Sequence, residues 1–190
     1  MKTSFIRPLA LAAALSFGVL GSAAAAEYTA LDSEASSISF GYSQMNVKMD
    51  GSFGNIMASE LTFDPAQPEA AKVALGVTLA SIDAGYPEAN TELEKDEWLA
   101  LAQHPLATFT SSKVEALGDG KYQVTGELAI KGTTKEVTAP FSFTEEGDTG
   151  VFDGTFTFQR ADFGVGQGQW EDFSIVANDI EINFHIVARQ

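Results

Sequence analysis

The run Lys121-Tyr-Gln-Val-Thr-Gly-Glu-Leu-Ala-Ile-Lys-Gly-Thr-Thr-Lys-Glu-Val-Thr-Ala-Pro-Phe-Ser-Phe143 alternates in polarity twice over. Tyr122, Val124, Gly126, Leu128 and Ile130 share one face; Val137, Ala139, Phe141 and Phe143 share one again. A period of two marks strands with one buried face. The short polar break at Lys131-Gly132 joins them as an antiparallel hairpin. The same pattern extends outward on both sides. Towards the C-terminus come Phe152, Gly154, Phe156 and Phe158, then Ile180, Ile182, Phe184 and Ile186. Towards the N-terminus come Ala107, Phe109 and Ser111; Val73, Leu75, Val77 and Leu79; and Leu61 with Phe63. Before these stand Val47, Met49, Gly51 and Phe53, and Ile38, Phe40 and Tyr42. Gly118-Asp119-Gly120 and Glu145-Glu146-Gly147-Asp148 supply further turns.

Thr91 to Ala102 lacks alternation and is rich in Glu, Leu and Ala. Thr91 with Glu94 matches a capping box and Pro105 stops the segment, so one short helix is expected there. Its Glu92, Glu94, Asp96 and Glu97 read as a wet face, with Trp98, Leu99 and Leu101 meeting the strands or covering an end of them. The fold class is therefore all-β. A sandwich and a closed barrel are the two common solutions, and such regular alternation favours an up-and-down antiparallel barrel of eight strands. A barrel of this size either packs its interior solid or encloses one small apolar ligand. Alternation does not decide between the two. If the barrel is hollow, the inward residues Ile38, Phe40, Tyr42, Phe53, Val77, Phe109, Leu128, Phe141, Phe156 and Phe184 are the candidate binding surface.

The chain has 190 residues, 45% of them hydrophobic and 19% charged, which suits one globular domain and excludes a largely disordered chain. Its 26 acidic against 11 basic residues give a net charge of −15, a poor match for nucleic acid or an anionic membrane surface. It has no cysteine, which excludes disulfides, thiolate metal sites and a lipid-modified N-terminal cysteine. Lys2 and Arg7, the apolar run Leu9 to Leu20 and the small residues ending Ala24-Ala25-Ala26 form the three-part pattern of a cleaved export signal over residues 1–26. The apolar run is too short to span about 30 Å of hydrocarbon, so no stable membrane anchor is expected. The domain then runs over residues 27–190 and its expected location is the periplasm.

Catalytic signals are sparse. His104 and His185 are the only histidines, and each reads more readily as structural than as a general base. No nucleophile elbow, paired-histidine zinc motif or EF-hand spacing occurs, so no metal and no cofactor is expected. Gly164-Val165-Gly166-Gln167-Gly168 fails the spacing of phosphate-binding loops and reads as a flexible loop or a turn at a barrel rim.

Val124-Thr-Gly-Glu-Leu-Ala-Ile-Lys-Gly-Thr-Thr-Lys-Glu-Val137 resembles the central signature of the YceI-like family. Ser37-Ile-Ser-Phe40, Gly51-Ser-Phe53, Leu61-Thr-Phe-Asp64, His104-Pro-Leu-Ala-Thr-Phe-Thr-Ser111 and Arg160-Ala-Asp-Phe-Gly164 fall in that family's order, so the resemblance covers nearly all of 27–190. It implies a lipocalin-like barrel holding a polyisoprenoid or similar long-chain alkyl lipid. It also implies a periplasmic or secreted binding protein, often a homodimer, with no established catalytic activity. Two positions depart from the family pattern. Gln44 and Trp98 stand where the family often has histidine. If those positions meet a polar head group, the departures imply a different head group with the same kind of tail. An enzyme acting on such a lipid through His104 or the Asp162 region, and a structural protein with a filled core, are the competing readings.

Overall fold

The computed structural model describes residues 26–190. The export signal read over residues 1–26 lies outside the described residues but for Ala26. Eleven strands form one antiparallel sheet. They are β1 (Ala30–Leu31), β2 (Ser37–Gln44), β3 (Val47–Phe53), β4 (Ile56–Thr62), β5 (Lys72–Thr78), β6 (Ile82–Asp83), β7 (Leu106–Gly118), β8 (Lys121–Ile130), β9 (Thr133–Glu146), β10 (Thr149–Gln159) and β11 (Asp179–Arg189). The sheet order is β4-β5-β7-β8-β9-β10-β11-β2-β3-β6, with β1 on β11. The sheet curls into a half-closed barrel. It has more strands than the eight expected, because each of nine alternating runs forms its own strand and two-residue pieces add β1 and β6.

Of the chain neighbours β3 and β4, β4 begins the strand order and β3 stands next to its far end, where only the two-residue β6 follows. Gly54 N–H donates to Ser81 O at 3.1 Å and Thr78 N–H to Asn55 O at 3.2 Å, tying the segment after β5 across this seam. At the other end of the barrel the N-terminal segment makes the tie. Tyr28 exchanges two backbone hydrogen bonds with Phe63, at 2.9 and 3.1 Å, and β1 pairs with β11.

The hairpin turns follow from their residues. Asp119-Gly120 (φ 54° and 70°) and Lys131-Gly132 (φ 50° and 74°) are two-residue loops with both φ positive, which glycine at the second place makes easy. Met45-Asn46 between β2 and β3 has the same signs, φ 49° and 64°, without a glycine. Its neighbour Val47 is 59% exposed, so the apolar run read from Val47 turns inward only from Met49.

The helix differs from the one expected. Helix α1 spans Pro87–Leu93 after the extended N-cap residue Tyr86, with Pro87 at its first position, where the fixed φ fits and the missing N–H costs nothing. Thr91 lies inside α1 and its Oγ1 donates to Pro87 O at 3.1 Å, so it caps nothing. The chain then continues in turns to Gln103. Trp98, Leu99 and Ala100 are all buried, and three consecutive residues cannot share one face of a helix. Burial wins over helical propensity.

The interior is uneven along its length. At the end closed by Tyr28, Phe63 (1% exposed) sits at the centre of an aromatic cluster. Its ring lies 4.9 Å from Phe143, 5.0 Å from Phe152 and 5.4 Å from Tyr122. At the other end the inward side chains leave a space between them.

Candidate functional site

The unfilled end is a cavity of about 480 Å³. That lies within the roughly 300–1,000 Å³ typical of small-molecule sites. All ten candidate residues line it: Ile38, Phe40 and Tyr42 from β2, Phe53 from β3, Val77 from β5, Phe109 from β7, Leu128 from β8, Phe141 from β9, Phe156 from β10 and Phe184 from β11. They converge because each occupies the inward position of its strand. Backbone closeness shapes the wall as well. Gly154 faces Phe184 across β10 and β11, and a Cβ on Gly154 would come within 2.2 Å of that ring. The missing side chain lets Phe184 lie flat against the sheet. Phe63, Phe141 and Phe152 form the floor.

The polar lining gathers at one end. Gln44 comes from the end of β2, Tyr86, Glu88 and Glu92 from the N-cap and body of α1, Trp98 from the turns that follow it, and Arg160 and Trp170 from the segment after β10. Tyr86 donates from its hydroxyl to Gln44 Oε1 at 2.7 Å. Trp170 Nε1 donates to Glu92 Oε1 at 3.2 Å. The Trp98 ring lies tilted against Trp170 at 5.4 Å between centroids, and its Nε1 is buried without a partner. Tyr42 donates to Ala84 O at 2.9 Å. Burial, reinforced by the neighbouring Tyr86, pushes the Tyr42 phenol up to about 12.

Arg160 organises this end. It is 1% exposed and has no carboxylate partner; all its N–H groups face main-chain carbonyls. Nε donates to Ala177 O at 3.0 Å. Nη1 donates to Val165 O at 2.8 Å and Gly166 O at 3.1 Å. Nη2 donates to Trp170 O at 2.6 Å and Val176 O at 2.8 Å. Its carbon lies 5.3 Å from the rings of Trp98 and Phe173, a cation between two π faces. Burial pulls the guanidinium pKa below its usual value. Gly166 is required here: its φ is 79°, and a Cβ would fall 1.9 Å from Arg160 Nη1. The glycine-rich segment is a rim wrapped on one side chain.

Residue patterns in the sequence single out Trp98 and Gln44 at this rim but give no role to Arg160, Tyr86, Trp170 or Val176. A lone arginine before a run of glycines in an arginine-poor chain is the signal that points to them. His104 packs its ring beside Gly132 and does not line the cavity. His185 Nδ1 lies 2.7 Å from Asp153 Oδ1 on the outer face, opposite Phe184 and Ile186, as alternation requires. Asp162 is exposed. Among the described residues no cluster of His, Asp and Glu has metal-binding geometry.

Comparison with known proteins places the chain. The YceI-like domain pattern matches residues 29–188. A curated UPF0312 protein of Shewanella baltica is 31% identical over 151 residues, covering 75% of this chain and 78% of that protein. One of Azotobacter vinelandii is 34% identical over 122 residues, covering 61% and 59%. The chain spans about three-fifths of the length of the first curated relatives it matches. Among solved structures, Burkholderia cenocepacia BcnA is 38% identical with a TM-score of 0.80, covering 83% of this chain and 99% of that one. A polyisoprenoid binding domain from Saccharophagus degradans shares the fold at 14% identity, with a TM-score of 0.66 and coverage of 86% and 98%. The chain belongs to the YceI-like family.

Proposed function

We propose that this protein is a periplasmic binding protein that carries one long-chain isoprenoid or alkyl lipid in the hollow end of its barrel. The observation that carries this reading is the apolar cavity itself: ten inward residues of eight strands surround about 480 Å³ and supply no charge. The fold shared with a polyisoprenoid binding domain supports it. The polar groups stand at one end, as an amphipathic ligand with a single head group requires. The unpartnered Trp98 Nε1 favours a head group with an acceptor oxygen, such as a quinone-related one.

The energetics suit a carrier. Burying each CH₂ from water contributes about 0.8 kcal/mol. A long tail would then exceed the practical ceiling of about −18 to −21 kcal/mol for binding. A tail that starts in a membrane is already out of water, so transfer into an apolar barrel lies near balance and is reversible. The acidic exterior keeps the carrier off anionic lipid. The role proposed is binding rather than catalysis, since neither histidine lines the cavity.

Mass spectrometry of protein purified from the periplasm tests the reading. Native spectra should show about one lipid per barrel, and the intact mass should start at Glu27 or within a residue or two of it. A barrel that leaves the cell empty and takes up no prenol or alkyl chain in an exchange assay would overturn the function. A chain that keeps Phe5 to Leu20 would overturn the location.

A further inference from the structure

Among the described residues six large apolar side chains stand exposed, and three of them lie on neighbouring segments at one corner of the barrel. Met45 (66% exposed) and Val47 (59%) form the tip of the β2–β3 hairpin, and Phe173 (48%) lies on the rim beside it. The corner is one piece of structure. Met45 N–H donates to Ile175 O at 2.8 Å, two residues from Phe173, and Gln44 bridges to Val176. Gln44 and Val176 both line the cavity, so the apolar corner stands directly beside its polar end.

Nothing inside the chain accounts for Met45. Its φ of 49° is a left-handed conformation that a non-glycine residue adopts at a cost, and its side chain faces solvent. The other two turns of this kind place Asp or Lys first and glycine second. Met45-Asn46 does neither, so the turn holds an apolar side chain outward against both local preference and hydration.

We infer that the Met45–Val47–Phe173 corner docks the cavity mouth onto the surface of a zwitterionic lipid bilayer. The inference rests on the carrier reading above and adds the surface through which the carrier meets its source. Charge around the corner selects the occupant. Glu171 and Asp172 immediately precede Phe173, and Glu88 and Glu92 stand on α1 at the cavity's polar end. With a net charge of −15 overall, an anionic bilayer is repelled. A zwitterionic surface instead presents ammonium groups outermost, facing this acidic collar.

The test uses the full exported protein and the double variant Met45→Asn, Val47→Thr. Asparagine tolerates the left-handed turn and threonine suits a strand, so the hairpin is kept. Neither residue lines the cavity. Flotation with phosphatidylcholine–phosphatidylethanolamine vesicles should fall by at least about tenfold in the variant, the loss expected when two apolar side chains no longer insert. Vesicles rich in phosphatidylglycerol should bind the wild type more weakly, and added salt should relieve that difference. Uptake of pyrene-labelled farnesol from vesicles should slow by a similar factor, while the affinity for the same probe dissolved in buffer stays unchanged. Equal flotation of variant and wild type overturns the docking surface. So does a wild type that ignores vesicles, or a variant that merely converts a dimer to monomer, which would make the corner a contact between two copies. Failure of both proteins to bind dissolved probe sinks the carrier reading instead, and flotation still decides the docking.

Discussion

Phe63 and Phe156 both point into the barrel and differ in what they meet there. Phe63 touches rings on several sides, so Phe63→Ala should cost about 3–5 kcal/mol, the usual loss for a packed aromatic. Phe156 is half-buried and lines the cavity, with Phe158 6.4 Å away as its aromatic neighbour. Phe156→Ala should destabilise the delipidated protein by clearly less while lowering lipid retention strongly. Thr157→Ala, on the outer face, should change neither. Denaturant titrations of the three delipidated variants, each with a lipid-binding titration, decide the matter; equal losses at Phe63 and Phe156 would mean that the interior is packed at both. Tyr42 gives a second reading at the same scale. Its neutral phenol is favoured in the folded state, with the pKa moved from 10.0 to about 12. That contribution is complete below pH 10 and is lost as pH rises through about 12. An ultraviolet titration of the native protein should show a late phenol component that Tyr42→Phe removes, and the same substitution should flatten the alkaline fall in stability.

The rim after β10 depends on Arg160 far more than on its own backbone ladder. Five carbonyls from Val165 to Ala177 converge on one guanidinium, so the segment has no alternative donors if that group shrinks. Arg160→Lys supplies three donors without the planar fork and leaves carbonyls unsatisfied, at about 1–3 kcal/mol each where burial persists. Amide exchange should rise at Gly166, Trp170 and Val176 while the β8–β9 ladder stays protected, and bound lipid should leave faster; an unchanged exchange pattern would show that the rim stands without the arginine. The same contrast explains what could be read from the sequence. Strands β7 to β11 were legible because period two records burial on one face, and one face is all a barrel strand buries. The ten cavity residues were nameable by the same logic. Alternation says only that Phe63 and Phe156 face inward. Whether a ring or a void lies opposite depends on residues far apart in the chain, such as Tyr28 closing over Phe63. The displaced helix and the Arg160 rim were illegible for a related reason: both are fixed by tertiary contacts that override local propensity, as at Trp98-Leu99-Ala100.

At the scale of the molecule, the barrel is a packed base carrying an incomplete core. Aromatic rings fill the end near Tyr28, and the opposite end leaves apolar walls with about 480 Å³ between them. Those walls lose the dispersion contacts that a filled interior would give, so the empty protein folds without its full complement of packing. In the proposed carrier a bound tail would replace the missing atoms and bind the native state alone, since the unfolded chain has no cavity. Ligand-linked stabilisation then follows mass action and reaches about 2.7 kcal/mol when free ligand is 100 times its dissociation constant. In a domain of this size about 1 kcal/mol moves Tm by roughly 2–4 °C. Saturating delipidated protein with a soluble prenol at that excess should therefore raise Tm by about 5–11 °C. The increment should shrink in Phe156→Ala, whose wall is cut back, and persist in full in Thr157→Ala. A calorimetric scan at several prenol concentrations separates this linkage from surface sticking: the rise must follow the logarithm of free ligand with one site per barrel. A rise that ignores concentration, or one equally large in Phe156→Ala, would place the lipid outside the cavity.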